Sequence, residues 1–317
     1  MKARINEIVK LTISLLALIA LICLTGCDEN PADSDLSEQQ IIAKIIEEDA
    51  DLNSVDDVIN EKSFTNIIGK VNEPIFPKNW VKILNLKAKN LDLQVNGDTA
   101  IGILTKEYDG KLLILAAYTA NINPDTVITK QFQTTLKRKL VFVKTEDAQY
   151  KRKNENKGWK LVGISLAKTG TSDENVLITK VQVITANDTI TVENPLDYIF
   201  YRGYRERFKN QLRNYSPNQP LNVKVFVRSC YERPEYVTLT YGFNDKAGAF
   251  RITRRYFKLE EQAFDGTCWN RVYTGSWNAQ PVVGTFHAVI NAISNATLKD
   301  DKAEVEYKGM GLPYNVR

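Results

Sequence analysis

Leu91-Asp92-Leu93-Gln94-Val95-Asn96-Gly97 alternates apolar and polar side chains and ends on Asn-Gly. Successive strand residues point to opposite faces, so this pattern lays out one apolar face, and Asn-Gly marks a hairpin turn. Working outward, Leu112–Tyr118, Leu136–Val143 and Gly158-Trp159-Lys160-Leu161-Val162-Gly163-Ile164-Ser165 carry the signature of further strands. Tyr108-Asp109-Gly110 reads as a turn and residues 150–158 as a polar hairpin tip.

Upstream of residue 81 the period is helical. Ser37 followed by Gln40 makes a capping box, and Ile41, Ile42, Ile45 and Ile46 form a stripe at helical spacing. A second helix is expected from Ser54, through Val55, Val58 and Ile59, with a stop at Gly69. The acidic residues Glu47, Glu48, Asp49, Asp51, Asp56, Asp57 and Glu61 read as a solvated face. They lack EF-hand spacing, and no metal site is expected.

Downstream, residues 168–175 begin with the small, polar run Lys168-Thr169-Gly170-Thr171-Ser172-Asp173 and read as a linker. Beyond it come strand patterns at Ile178–Thr185, Thr189–Val192, Leu221–Arg228, Tyr236–Phe243, Ala249–Phe257 and Phe286–Ala292. Repeated short strands with turns between them predict a β-sandwich over 176–317. One helix is expected within it, capped by Asn194 with Pro195 at its first position and running towards Asn214. The fold class predicted is therefore α+β: N-terminal helices on a curved antiparallel sheet over 37–167, then the sandwich.

Two resemblances accompany this reading. The opening helices, the long strands and the closing Gly158–Ser165 segment resemble the NTF2-like cone over 37–167. Members of that family line the cone with Asp and His, but this region holds no His, so no catalytic site carries over. Gly284-Thr285-Phe286-His287-Ala288-Val289-Ile290-Asn291-Ala292 resembles a late strand of an Ig-like or fibronectin-like domain.

The chain opens with Lys2, Arg4 and Lys10, followed by the uncharged apolar run Leu11–Cys23. A basic start and a short apolar core are the layout of a secretory signal, and the run is shorter than the ~20 residues a spanning helix needs. It ends in Leu24-Thr25-Gly26-Cys27, which resembles the bacterial lipobox. That resemblance implies removal of residues 1–26, a diacylglycerol on the Cys27 thiol, and attachment to a lipid bilayer. Multiple acyl chains anchor stably because each buried methylene contributes roughly 0.8 kcal/mol. Residues 27–36 then form an acidic tether, Asp28-Glu29-Asn30-Pro31-Ala32-Asp33-Ser34-Asp35-Leu36. The implied location is a bacterial cell envelope, facing the periplasm or the cell surface.

The chain carries 42 Lys/Arg and 38 Asp/Glu. Its first 26 residues hold Lys2, Arg4, Lys10 and Glu7, so the remainder is close to balanced at about +2. Balanced charge and export both argue against nucleic acid as a partner. Of four cysteines, Cys23 leaves with the signal and Cys27 is acylated. Cys230 and Cys268 remain and are expected to form a disulfide in an oxidising compartment.

The site chemistry is sparse. His287 is the sole histidine, with no Gly-x-Ser-x-Gly or Ser-x-x-Lys beside it, and it reads as a structural or surface residue. No Walker loop or dinucleotide fingerprint appears, and no cofactor is expected. Glu260-Glu261 and Asp300-Asp301 read as surface turns. The densest feature is the basic and aromatic segment 198–215. It reads either as core aromatics with solvated cations or as a surface for an envelope protein partner, centred on Tyr201, Arg202, Tyr204, Arg205 and Arg207. The leading functional expectation is a membrane-anchored envelope lipoprotein with a binding or scaffold role. An envelope enzyme acting on cell-wall glycan or peptide, and a small-molecule carrier using the interior of the first domain, are the alternatives.

Overall fold

The computed structural model describes residues 36–49, 75–119, 123–146, 157–201, 212–244 and 250–317, without the side chains of 242–244 and 250–252. It is mostly β, built on two sheets, and among the described residues one helix reaches seven residues. This overturns the α+β class with N-terminal helices. The second expected helix, Ser54 to Gly69, lies outside the described residues, as do Cys27 and the tether up to Asp35.

The helix that is seen, α1 (Glu38–Glu48), begins where its capping box places it. Gln40 N donates to Ser37 Oγ at 3.3 Å, and Ser37 N donates back to Gln40 Oε1 at 2.8 Å. The chain divides into two compact units at Ile41/Ile42, within this helix.

Three long antiparallel strands open the second unit: β1 (Phe76–Asn96), β2 (Thr99–Ala117) and β3 (Thr126–Lys144). The turn joining β1 to β2 is Gly97-Asp98, since Asn96 pairs with Thr99. Gly97 sits at φ +59° and Asp98 has no positive φ, the Gly-first pattern of a type II′ turn. Tyr108-Asp109-Gly110 is not a turn. It continues β2, with Gly110 paired to Phe132 of β3. A Cβ on Gly110 would fall 2.4 Å from Phe132 Cζ, so glycine is there to admit the ring rather than to bend the chain.

The chain continues through β4 (Trp159–Ser165), β5 (Lys168–Gly170), β6 (Val176–Ile184), β7 (Thr189–Val192) and β8 (Ile199–Tyr201). It then passes through β9 (Asn214–Tyr215), β10 (Pro220–Ser229), β11 (Tyr236–Asn244), β12 (Phe250–Tyr256) and β13 (Lys258–Phe264). It closes with β14 (Trp269–Asn278), β15 (Gly284–Ile293), the short helix α2 (Asn295–Lys299) and β16 (Tyr307–Val316). The expected helix after Asn194 stops after one 3-10 turn, Pro195–Asp197. Asn194 caps it as expected, but pairing of Phe200 with Ile164 draws the next residues into β8. Glu260-Glu261 lies in β13 rather than in a turn.

The larger sheet runs β1-β2-β3-β5-β16-β15-β11-β12, with β4, β8 and β9 attached at its side. It crosses the boundary expected at 167/168, because Lys168–Gly170 of the anticipated linker pairs with both β3 and β16. The sheet curls until its ends meet. Arg254 of β12 donates to the Trp80 carbonyl of β1 at 3.0 Å and stacks on the Trp80 ring at 3.5 Å. Inside the curl, Trp80, Leu112, Ile114, Ile293 and Tyr307 form a buried cluster. Lys130 projects into the same interior and donates to the carbonyls of Thr297, Asp300 and Ala303, which closes the C-terminal end of α2. Burial lowers its pKa to about 8, against the pull of Asp300 and Asp301.

The smaller sheet runs β13-β14-β10-β6-β7. Strand β10 alternates as its sequence requires: Leu221, Val223, Val225 and Val227 are buried. Each such side chain contributes about 1.5–3 kcal/mol by leaving water. This sheet and the β15–β16 part of the larger one form a β-sandwich-like pair, in which Trp277 of β14 meets Tyr314 of β16 at 6.4 Å between ring centroids.

Candidate functional site

The segment rich in aromatics and cations enters the sandwich at its β7 edge. Lys139 holds the 3-10 turn there by an ion pair with Asp197 at 2.6 Å, and this hydrogen bond lowers the Asp197 pKa. The turn delivers Tyr198 and Phe200, whose rings meet edge to face at 5.4 Å. After residues 202–211, β9 runs parallel to the end of β16 and sets Tyr215 at 5.8 Å from the Tyr314 ring. Arg213 pairs with Asp188 at 3.0 Å, both side chains half exposed.

These residues surround a cavity of about 40 Å³ between the two sheets. Val183, Ile190 and Val192 form one wall, and Leu312, Pro313 and Tyr314 the other. Tyr198, Phe200 and Tyr215 close the side, and Trp277 contributes its indole. The lining is apolar apart from a few polar groups, the usual make-up of a small-molecule pocket.

Trp277 and Tyr314 line the cavity, and the buried Gln280 lies beside them outside its lining. Trp277 and Gln280 approach the Tyr314 hydroxyl closely enough to favour its phenolate. Burial outweighs them, and the Tyr314 pKa is pushed up to about 12. Burial also raises Tyr215 to about 12. Both phenols therefore keep their protons at neutral pH. The Trp277 and Gln280 N–H groups thus face the Tyr314 oxygen, the acceptor within their own cluster.

The sequence-selected residues fall into distinct places. Cys230 and Cys268 form a disulfide with Cα atoms 4.2 Å apart. It joins neighbouring strands of one sheet, because Ser229 pairs with Trp269 immediately beside it. Tyr201 is exposed on β8, its ring lying against Gly163. It ends a row across four paired strands, Ile101–Val141–Gly163–Tyr201, whose end members are both exposed. Arg202, Tyr204, Arg205 and Arg207 lie outside the described residues. His287 sits on β15 opposite Pro313. The basic and aromatic signal thus located four cavity residues: Tyr198, Phe200, Arg213 and Tyr215. It missed Trp277 and Tyr314, which lie on β14 and β16, strands not read from the sequence. The cavity lies between the two sheets, and Leu166 is the residue of the 37–167 segment that lines it.

No protein-family model matches this chain, and no curated protein matches it significantly.

Proposed function

We propose that this chain is a lipid-anchored lipoprotein of a bacterial cell envelope whose folded body has a binding role. The observation that carries the anchor is Leu24-Thr25-Gly26-Cys27 at the end of a basic and then apolar leader. Two further features support it. The Cys230–Cys268 bridge suits an oxidising compartment. Among the described residues no helix is long and apolar enough to cross a membrane, so attachment in this reading rests on the lipid at Cys27. The binding role is supported by the largely apolar cavity between the sheets. The exposed Tyr201, at the end of the row from Ile101, offers a separate contact for an envelope protein.

The test is metabolic labelling with an alkynyl fatty acid in a bacterial host. The wild-type chain is expected to take up label and partition with membranes. Cys27→Ser is expected to lose the label and to accumulate as precursor or soluble protein. Label persisting on Cys27→Ser would remove the anchor from this account.

A further inference from the structure

We propose that the outer face of the smaller sheet is a homodimer interface, on which a second copy of this chain docks the same face about a two-fold axis running along the strands. The inference is independent of the cavity between the sheets.

One row of side chains carries it. Glu261 of β13 pairs with Val272 of β14, Val272 with Phe226 of β10, and Phe226 with Lys180 of β6. Paired residues share a face. This face turns away from the larger sheet, because the alternate residues Val225, Val227 and Tyr273 are the buried ones. The row therefore runs acid, valine, phenylalanine, cation across four strands. Glu261 is exposed, and Val272, Phe226 and Lys180 are half-buried. Lys180 Nζ rests over the Phe226 ring at 3.9 Å, and among the described residues neither Lys180 nor Glu261 forms an ion pair. Beside the row lies a trough of about 290 Å³ whose walls include Phe226, Val272, Ala263 and Asn270. Bulges at Thr179 in β6 and Glu260 in β13 stand at its two sides, where they bend the strands and re-aim side chains.

The row is complementary to itself. A two-fold axis along the strands, between β14 and β10, reverses its order in the facing copy. Glu261 then meets the second copy's Lys180, Val272 meets the second copy's Phe226, and each contact occurs twice. The neighbouring rows obey the same operation. Ala263, Asn270, Arg228 and Leu177 form one. Reversal sets Ala263 on Leu177 and Asn270 on Arg228. Lys258, Thr274, Lys224 and Gln182 form the other. Reversal sets Lys258 on Gln182 and Thr274 on Lys224. Like charges facing each other across an interface oppose association, and none of these three rows brings any together.

The size is sufficient. Strands β10 and β14 are ten residues long. Four strands spaced about 4.8 Å apart, at about 3.3 Å per residue, make a face of roughly 600 Å². Two copies bury roughly 1,200 Å², the lower end of the range for a specific interface. Sheets whose strands run in nearly the same direction are also the ones that stack well face to face.

The test is sedimentation equilibrium of the full chain in detergent matched to the solvent density, with micelles in large excess. The wild-type chain is expected to show a monomer–dimer equilibrium with a dissociation constant on the order of micromolar, the weak end for interfaces of this kind. Glu261→Lys and Lys180→Glu are each expected to weaken association at least about tenfold, because each sets like charges opposite one another twice. Mixed together, the two variant chains are expected to associate as the wild type does, since each then offers the charge the other lacks. Circular dichroism checks that each variant folds. If either does not, Asn270→Arg, which faces the second copy's Arg228, takes its place as a variant expected to weaken association. A wild-type chain that stays monomeric well above micromolar concentration overturns the proposal. So does a dimer that these variants leave unweakened, which would use another surface, and so does a mixture that fails to recover association.

Discussion

Glu235 and Arg271 form an ion pair at 2.7 Å with both side chains wholly shielded from solvent. Arg271 also donates to the carbonyls of Glu232 and Arg233, and Tyr273 donates its hydroxyl to the other Glu235 oxygen at 2.8 Å. The pair thus ties the loop after β10 to β14, two residues from the strand end that carries the disulfide. Burial, reinforced by the nearby Glu235 carboxylate, drives the Tyr273 pKa far upward.

Removing one member should be far worse than removing both. Arg271→Met leaves an uncompensated buried carboxylate and is expected to cost about 3–5 kcal/mol. The double variant Glu235→Leu/Arg271→Met is expected to recover a large part of that loss, since its apolar replacements need no partner. Urea unfolding of the two variants and the wild type measures both numbers. Equal destabilisation would show that the pair is not the source.

Local chemistry made some of this fold legible. The Ser37/Gln40 capping box, the Gly97 turn, the Asn194 cap and the alternation of β10 depend on neighbours in sequence, and each is present. What could not be read depends on distant partners. Gly110 looks like a turn until Phe132 is placed over it, and Thr169 looks like a linker until Leu136 and Gly309 flank it. The α+β expectation failed because the half of the chain after Lys144 supplies strands that complete the first sheet. The cavity was half legible: Tyr198 and Tyr215 stand in a conspicuous aromatic run, whereas Trp277 and Tyr314 stand alone in sequence and meet them only across the sandwich.

Stability should peak near pH 10. Lys130 holds its proton more weakly when folded, about 8 against 10.5, so the unfolded chain binds more protons between those values and stability rises. Tyr215, Tyr236 and Tyr314 work the other way. Burial raises each from 10 to about 12, so their contribution is complete below pH 10 and is lost as pH climbs to 12. Each tyrosine accounts for on the order of 2 kcal/mol across that window. Urea midpoints from pH 7 to 12, followed with phenolate absorbance, check the profile. Phenolate appearing near pH 10 without loss of stability would contradict it.

The seat of the Phe132 ring on Gly110 predicts a size limit. Gly110→Ala puts a methyl group inside the ring's space and is expected to cost about 1–3 kcal/mol by overpacking. Phe132→Leu opens that space at its own cost. The combined variant is expected to be more stable than the sum of the two losses predicts, by about 0.5–1 kcal/mol. Additive losses in denaturant titrations would mean that the contact does not govern the site.

The last prediction concerns the bridge between Cys230 and Cys268. It closes a 38-residue separation, and a chain-entropy estimate gives such a closure roughly 3–4 kcal/mol. The neighbouring strands are already held by the β10–β14 ladder from Pro220↔Asn278 to Ser229↔Trp269, so the native state needs no bridge to align them. Its effect should therefore lie mainly in the unfolded chain. Cys230→Ala/Cys268→Ala is expected to lower the unfolding free energy from urea titration by that amount, while circular dichroism of the folded protein stays the same. Cys268 is buried, so reductant should act slowly on the native fold and quickly in denaturant. Mass spectrometry of unreduced, alkylated protein should show both thiols protected. Two alkylated cysteines in protein taken from the envelope would refute the bridge. A double variant with an unchanged midpoint would refute its energetic role.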